Sequence, residues 1–304
     1  MSKSNKPLLS RRNGEKLVDF MLVLPALILL AIFTYYPVAK LLQLSFTDWN
    51  LLKPTWNYVG LKNWKWLFAG SGAKYLWNSL KVTFIYTCGE IFVTIVGGMI
   101  FALLLNRATR GFTLMRAIIF VPKYVAMSSC AVVFLWILNT DYGVLNYALK
   151  TIGLQPVDWL NQQSTAMISV LITTCWRVVG YGMMIYMAAM KGISPQYYEA
   201  SAIDGASKTQ QFFGITLPLL APTTVFLLVT TFLSAMKVFQ SVDILTSGGP
   251  ARSTEVFVYL IYRYSMVDFR MDRAATSAVM FFIILLTITA ATMKVSDNNV
   301  NYDS

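Results

Sequence analysis

Apolar residues along this chain fall into long unbroken runs separated by shorter polar stretches. Each run approaches the roughly 20 residues that a helix rising about 1.5 Å per residue needs to cross a hydrocarbon core. Six such runs are readable, at about 17–38, 80–106, 117–138, 164–190, 219–243 and 274–293. Strands of a closed barrel would give short alternating segments, so continuous runs predict helices, which satisfy their backbone groups internally. The expected fold class is an all-α membrane protein with six transmembrane helices. The first run follows the basic residues Lys3, Lys6, Arg11, Arg12 and Lys16, as a signal peptide would. It is longer than a secretory apolar core, however, and no small-x-small site follows Tyr35-Tyr36-Pro37, so it is expected to remain as the first span.

Six crossings put both termini on one side. Lys and Arg are divided evenly between the two sets of loops, so orientation rests on the N-terminal basic cluster together with Arg107, Arg110 and Arg116, which favours a cytoplasmic N-terminus. On this reading 1–16 and 294–304 are cytoplasmic ends, 17–293 is one six-helix domain, and 191–218 is a cytoplasmic loop. Residues 41–79 contain Trp49, Trp56, Trp64, Trp66 and Trp77 interleaved with Lys53, Lys62 and Lys65. Indole rings and snorkelling lysine stems suit the headgroup region, so this stretch is expected on the outer interface.

Composition agrees with the pattern: 56% of the residues are apolar and only 13% charged, with a mean hydropathy of +0.56, too oily for a soluble surface of this size. The net charge of +11 is scattered between apolar runs and forms no stripe, which points to anionic lipid and away from nucleic acid. Histidine is absent, and with it the usual general base and the commonest zinc ligand. No metal site is expected. No GxxxxGK[ST] phosphate loop occurs, since Gly205-Ala206-Ser207-Lys208-Thr209 has the wrong spacing. Cys88, Cys130 and Cys175 each sit in an apolar run and read as small buried hydrophobes without a disulfide.

The most informative polar stretch is Lys191–Pro218. Ser194 can cap a helix that Pro195 begins, and Gly205 tolerates the left-handed conformation that ends one. Ala200, Ser201, Ala202 and Ala206 keep that helix slim enough for a groove on a partner. An amphipathic piece follows, with Lys208, Gln210 and Gln211 polar and Phe212, Phe213, Ile215 and Leu217 apolar. Physically this is either a docking element or an alanine-rich hairpin loop.

Glu199-Ala200-Ser201-Ala202-Ile203-Asp204-Gly205, followed at the right distance by Ile215-Thr216-Leu217-Pro218, resembles the EAA motif of ABC-importer permeases, departing from it by Ser201 where alanine is usual. Ser45-Phe46-Thr47-Asp48-Trp49, Tyr58-Val59-Gly60-Leu61-Lys62-Asn63-Trp64 and Leu245-Thr246-Ser247-Gly248-Gly249-Pro250 with Thr254-Glu255 are similar to segments of the carbohydrate permeases of the maltose and glycerol-phosphate type. The resemblance covers nearly the whole chain. It implies a type I importer permease fold that translocates a sugar or oligosaccharide across the inner membrane without catalysing a reaction. It further implies a second homologous permease, two ATPase subunits that bind ATP and magnesium, and an extracytoplasmic solute-binding protein. Glu199, Ala200, Ser201, Ala202, Asp204 and Gly205 would then form the coupling helix against the ATPase.

Glu90, Lys123, Arg177, Lys237 and Asp243 lie within or at the ends of apolar runs. Each costs about 2.5–3.5 kcal/mol at a helix centre on insertion scales, so they are expected to face protein or water. Lys123 and Lys237 have stems that reach an interface and read as structural. Arg177, in mid-run, is the substrate-path candidate, its alternative role being an ion pair with Glu90 or Asp243. Gln240 and Asp243 beside Phe239 would offer polar groups next to an aromatic surface, as sugars require. An ion-coupled secondary transporter using Glu90 and Arg177 is the alternative class.

Overall fold

In a computed structural model, residues 8–106 and 109–299 are described. Lys3, Lys6, Arg107 and the last five residues of the expected C-terminal tail lie outside them. Helix α1 runs Leu8–Leu30 and continues through a π-helical turn at Ala31–Tyr35 into Tyr36–Leu44. Helix α2 (Lys62–Ala69) lies within the tryptophan-rich stretch, and α3 runs Gly72–Phe92, then through Val93–Gly97 into Gly98–Leu104. Next come α4 (Arg110–Tyr124), α5 (Met127–Ile137), the short α6 (Val144–Thr151) and the long α7 (Gln163–Lys191). After α7 lie α8 (Pro195–Ile203), α9 (Lys208–Leu219) and α10 (Ala221–Ala235). The chain closes with α11 (Gln240–Thr246), α12 (Phe257–Tyr262, extended by Arg263–Val267) and α13 (Met271–Asn299).

Among the described residues, four helices are long and apolar enough to cross a membrane as they stand: Val18–Leu44, Gly72–Leu104, Gln163–Lys191 and Met271–Thr292. The runs read as spans at 117–138 and 219–243 are each built from bent pairs. Helices α4 and α5 meet at 107°, and α9 and α10 at 59°. Counting each pair as one span gives six. The first break follows a 3-10 turn containing Pro122, whose ring removes a backbone donor, and the second falls just before Pro222. Helix α10 also stops at Ala235, so residues 236–239 form a turn where the apolar pattern would continue a helix.

Helix α7 is the central post. It is packed against α3, α4 and α11, and the approach is a backbone approach. A Cβ on Gly98 would lie 2.8 Å from the Gly182 carbonyl carbon, while one on Gly182 would overlap the Thr94 carbonyl oxygen and one on Gly180 the Ile119 carbonyl oxygen. Small residues at such crossings are how helices associate where lipid supplies no hydrophobic drive. Around this seam Met99, Met183, Tyr186, Met187, Leu220 and Leu227 form a buried apolar cluster. A second cluster joins α3, α5, α7 and α11 through Tyr86, Phe134, Val170 and Val242.

The stretch 45–47 is pinned to α2 and α13. Asn63 donates to the Ser45 and Thr47 carbonyl oxygens (3.1 and 2.7 Å), and the buried Thr276 hydroxyl donates to the Ser45 carbonyl oxygen at 3.2 Å. Beside it, the fully buried Glu255 carboxylate lies 3.0 Å from Arg263 and 3.4 Å from Arg252. Burial pushes its carboxyl up, against the two guanidinium groups. Thr254 donates to the Gly249 carbonyl oxygen at 2.7 Å, which folds the Gly248–Val256 loop over this ion cluster.

Two substitutions test these supports by thermal melting of the detergent-purified chain. Gly182→Val, which must force two backbones apart, is expected to cost about 1–3 kcal/mol or more of stability. Glu255→Ala is expected to lower stability by about 3–5 kcal/mol, because Arg263 would be left as an uncompensated charge in a low-dielectric site.

Candidate functional site

Two places in the fold gather chemistry-bearing residues. The first is the 191–218 loop. Ser194 adopts an extended conformation and its hydroxyl accepts from the Gln196 N–H at 3.4 Å, while Pro195 takes the first helical position of α8. Gly205 has φ +78° and no neighbouring atom where a side chain would go, so it ends the helix in a conformation glycine adopts without strain. Helix α9 then starts with a reciprocal capping box: Ser207 accepts from the Gln210 N–H, and the Gln210 side chain accepts from the Ser207 N–H at 2.8 Å.

Glu199, Ala200, Ala202, Asp204 and Gly205 are exposed, and Ser201 is half-buried. Ile203, at the tip, is 87% exposed, the largest value among the exposed large hydrophobic residues described. What holds this knob was not legible from the motif. Gln211, 5% exposed, donates to the Tyr198 carbonyl oxygen (3.1 Å) and to the Ser201 hydroxyl (2.9 Å), and Ser201 itself donates to the Tyr198 carbonyl oxygen (3.0 Å). The Tyr198 hydroxyl meets that of Thr216 at 2.9 Å. Serine at position 201 therefore adds a tie to α9 that alanine lacks. At the base, Ile193 and Phe212 pack on the buried cluster around Tyr186 and Leu220, so α8 and α9 are seated on α7.

The second place is a cavity of about 380 Å³ at the level of the α7 midpoint. Its wall includes Glu90, Lys123, Arg177, Lys237, Gln240 and Ser241, with Tyr86 and Thr174. A smaller adjoining cavity of about 210 Å³ shares Glu90, Lys123 and Ser234 and adds Thr94, Thr230 and Thr231. Glu90 and Tyr86 are one helical turn apart on α3, hence on one face. Of the substrate-path residues expected from sequence, Glu90, Arg177 and Gln240 meet here, whereas Asp243, almost a turn further along α11, lies outside the wall.

The expected ion pair of Arg177 with Glu90 or Asp243 is not formed. Its Nε donates instead to the Val125 carbonyl oxygen at 2.9 Å, a group freed by the break between α4 and α5. That break also turns Lys123 inward, its Nζ lying 4.7 Å over the Tyr181 ring. Lys237 reaches the cavity because α10 has already ended. Both lysines, read from sequence as snorkelling structural residues, belong to the cavity. The cause is irregular backbone at membrane depth, tolerated where it lines a water-filled space.

Comparison with known proteins gives a consistent picture. A family model described as "Binding-protein-dependent transport system inner membrane component" matches residues 94–301. The chain is 33% identical to the probable ABC transporter permease protein YurN of Bacillus subtilis, over 93% of this chain and 97% of that one. It is 31% identical to the sn-glycerol-3-phosphate transport system permease protein UgpA of Agrobacterium fabrum, over 95% and 97%. Among solved structures it superposes with a TM-score of 0.82, at 24% identity and covering 97% and 100% of the two chains, on a bacterial ABC transporter involved in import of the acidic polysaccharide alginate.

The Gln211 anchor makes a specific demand on the loop. Gln211→Ala is expected to remove about 1 kcal/mol of restraint per lost hydrogen bond, so that hydrogen exchange speeds up across 195–203 while the amides of α7 keep their protection. Unchanged exchange in α8 would show that the knob is held by its apolar base alone.

Proposed function

The chain belongs to the binding-protein-dependent transport system inner membrane components, and from that membership we propose how its two sites divide the work of an ATP-driven importer. It is the multi-pass permease subunit of such an importer, and no reaction is catalysed on it. The mid-membrane cavity passes a saccharide or similar polar solute, and α8 receives the motion that opens and closes the pathway. The substrate class rests on the cavity and on the named relatives, one of which transports glycerol phosphate.

In this reading Glu199, Ala200, Ser201, Ala202, Asp204 and Gly205 form the surface that seats in an ATPase subunit, which binds the ATP and magnesium. The observation that carries it is the exposed apolar tip, Ile203, on a slim helix whose stem is tied to the protein by Gln211 and Tyr198. A mobile loop would absorb a push; a helix hydrogen-bonded to its neighbour and seated on α7 passes it on. Glu199 is free to pair with a basic group across the joint. Both chain termini and this loop lie on the cytoplasmic side, and the solute-binding protein delivers from the other.

A second, homologous permease completes the pathway, and each carries one ATPase subunit. The cavity supports this, since Ser234, Lys237 and Gln240 are exposed at its edge and leave it open to one side. The stretch Val18–Leu44 supports it as well: its most apolar part is not buried in the chain, which leaves that part for lipid or a neighbouring subunit.

The docking surface is tested by Ile203→Asp and Gly205→Asp. Each is expected to weaken retention of the ATPase by tenfold or more, as loss of an interface anchor does, and to reduce ATP-dependent uptake in parallel at unchanged membrane levels of the permease. ATPase retained at the wild-type level by both variants would remove this surface from the joint.

A further inference from the structure

We propose that the transported saccharide carries an acid group, and that Arg177, Lys123 and Lys237 receive its oxyanion in the mid-membrane cavity. This rests on the import of a polar solute set out above and specifies its chemistry.

The charge balance of the cavity wall is the starting point. Three cationic side chains face one carboxylate, that of Glu90, and among the described residues none of the three is in an ion pair. Arg177 spends its Nε on the Val125 carbonyl oxygen, and its Nη1 has only the Met127 sulfur, at 4.0 Å, leaving most of the donor fork unspent. Lys123 lies over the Tyr181 ring, which neutralises no charge. Lys237 stands exposed at the cavity edge. Charges serving only to knit helices together would meet Glu90, because an unpaired charge at this depth is costly.

A second observation points to a guest. The hydroxyl of Ser241, a fully buried residue on the cavity wall, has no hydrogen-bond partner, whereas that of Tyr86 lies beside Glu90 and Thr174. Buried hydroxyls are nearly always paired in a native protein. Water or a neutral sugar would meet that hydroxyl but leave the three cations of this wall facing one carboxylate. A sugar bearing a carboxylate, phosphate or sulfonate answers both, since the guanidinium fork matches an oxyanion edge and the lysines act as point charges around it. Phe239, also on the wall, offers an apolar face to the ring.

The test feeds one defined mixture to the host organism and to a strain lacking only this permease. The mixture contains digalacturonate, sulfoquinovosyl glycerol, glycerol 3-phosphate, maltose and cellobiose, and depletion of each is followed by mass spectrometry. Depletion that depends on the permease is expected for acidic solutes, and the member taken up separates carboxylate, sulfonate and phosphate. Permease-dependent uptake of a neutral sugar alone would overturn the acid group and leave the importer standing. No permease-dependent uptake of any solute would count against both readings. For the acidic solute taken up, Arg177→Gln and Lys123→Gln, at equal membrane levels, are each expected to lower uptake about tenfold, with Arg177→Lys retaining more than Arg177→Gln. Lys237→Gln, at an exposed position that folding does not need, is expected to do the same. Full uptake by all three glutamine variants would overturn the assignment of the residues.

Discussion

The whole arrangement depends on how closely α7 approaches α3 and α4. At Gly98, Gly180 and Gly182 the helices meet backbone to backbone, with no room for even a methyl group. In a bilayer, apolar side chains gain little by leaving lipid for protein, so association has to come from packing and from hydrogen bonds. A glycine seam supplies the first. It also sets the register of everything attached to α7, because a helix locked at one point along its length is locked at every other.

Both sites take their positions from that register. Arg177, at the midpoint of α7 (Gln163–Lys191), lines the cavity it shares with Glu90 of α3, and Lys191 at the end of α7 leads within a few residues to the cap of α8. One uninterrupted helix therefore joins a polar cavity to an exposed knob. The elements around it are broken: α4 and α5 at 107°, α9 and α10 at 59°, with π-helical turns in α3 and α9. A continuous post among bent struts is a geometry in which a displacement at one end is carried to the other, while the struts have joints at which to bend.

The breaks have a chemical use as well. A break in a helix frees backbone carbonyl groups, which lipid cannot satisfy. At the α4–α5 break the Val125 carbonyl oxygen is met by Arg177, so a charged side chain and an orphan acceptor satisfy one another. The end of α10 at Ala235 likewise brings Lys237 and Gln240 to the cavity edge. Polar residues and irregular backbone thus occur together in the same place for the same reason.

The sequence alone determined the membrane class, because runs of about 20 apolar residues have few other uses, and it marked the helix of the 191–218 loop, because Ser194-Pro195 and Gly205 encode a helix start and stop through local backbone preferences. Helix caps act over a few residues, so they are written locally. The pairing of Gln211 with Tyr198 and Ser201, the fate of Lys123 and Lys237, and the absence of an Arg177 ion pair were decided only by tertiary structure. Apolar periodicity is blind to a helix that bends in mid-membrane, and a charged residue in a hydrophobic run shows its cost in the sequence but not its partner. Which groups share a cavity depends on the crossing of distant helices, and that crossing was fixed by glycines whose role appears only when another backbone lies against them.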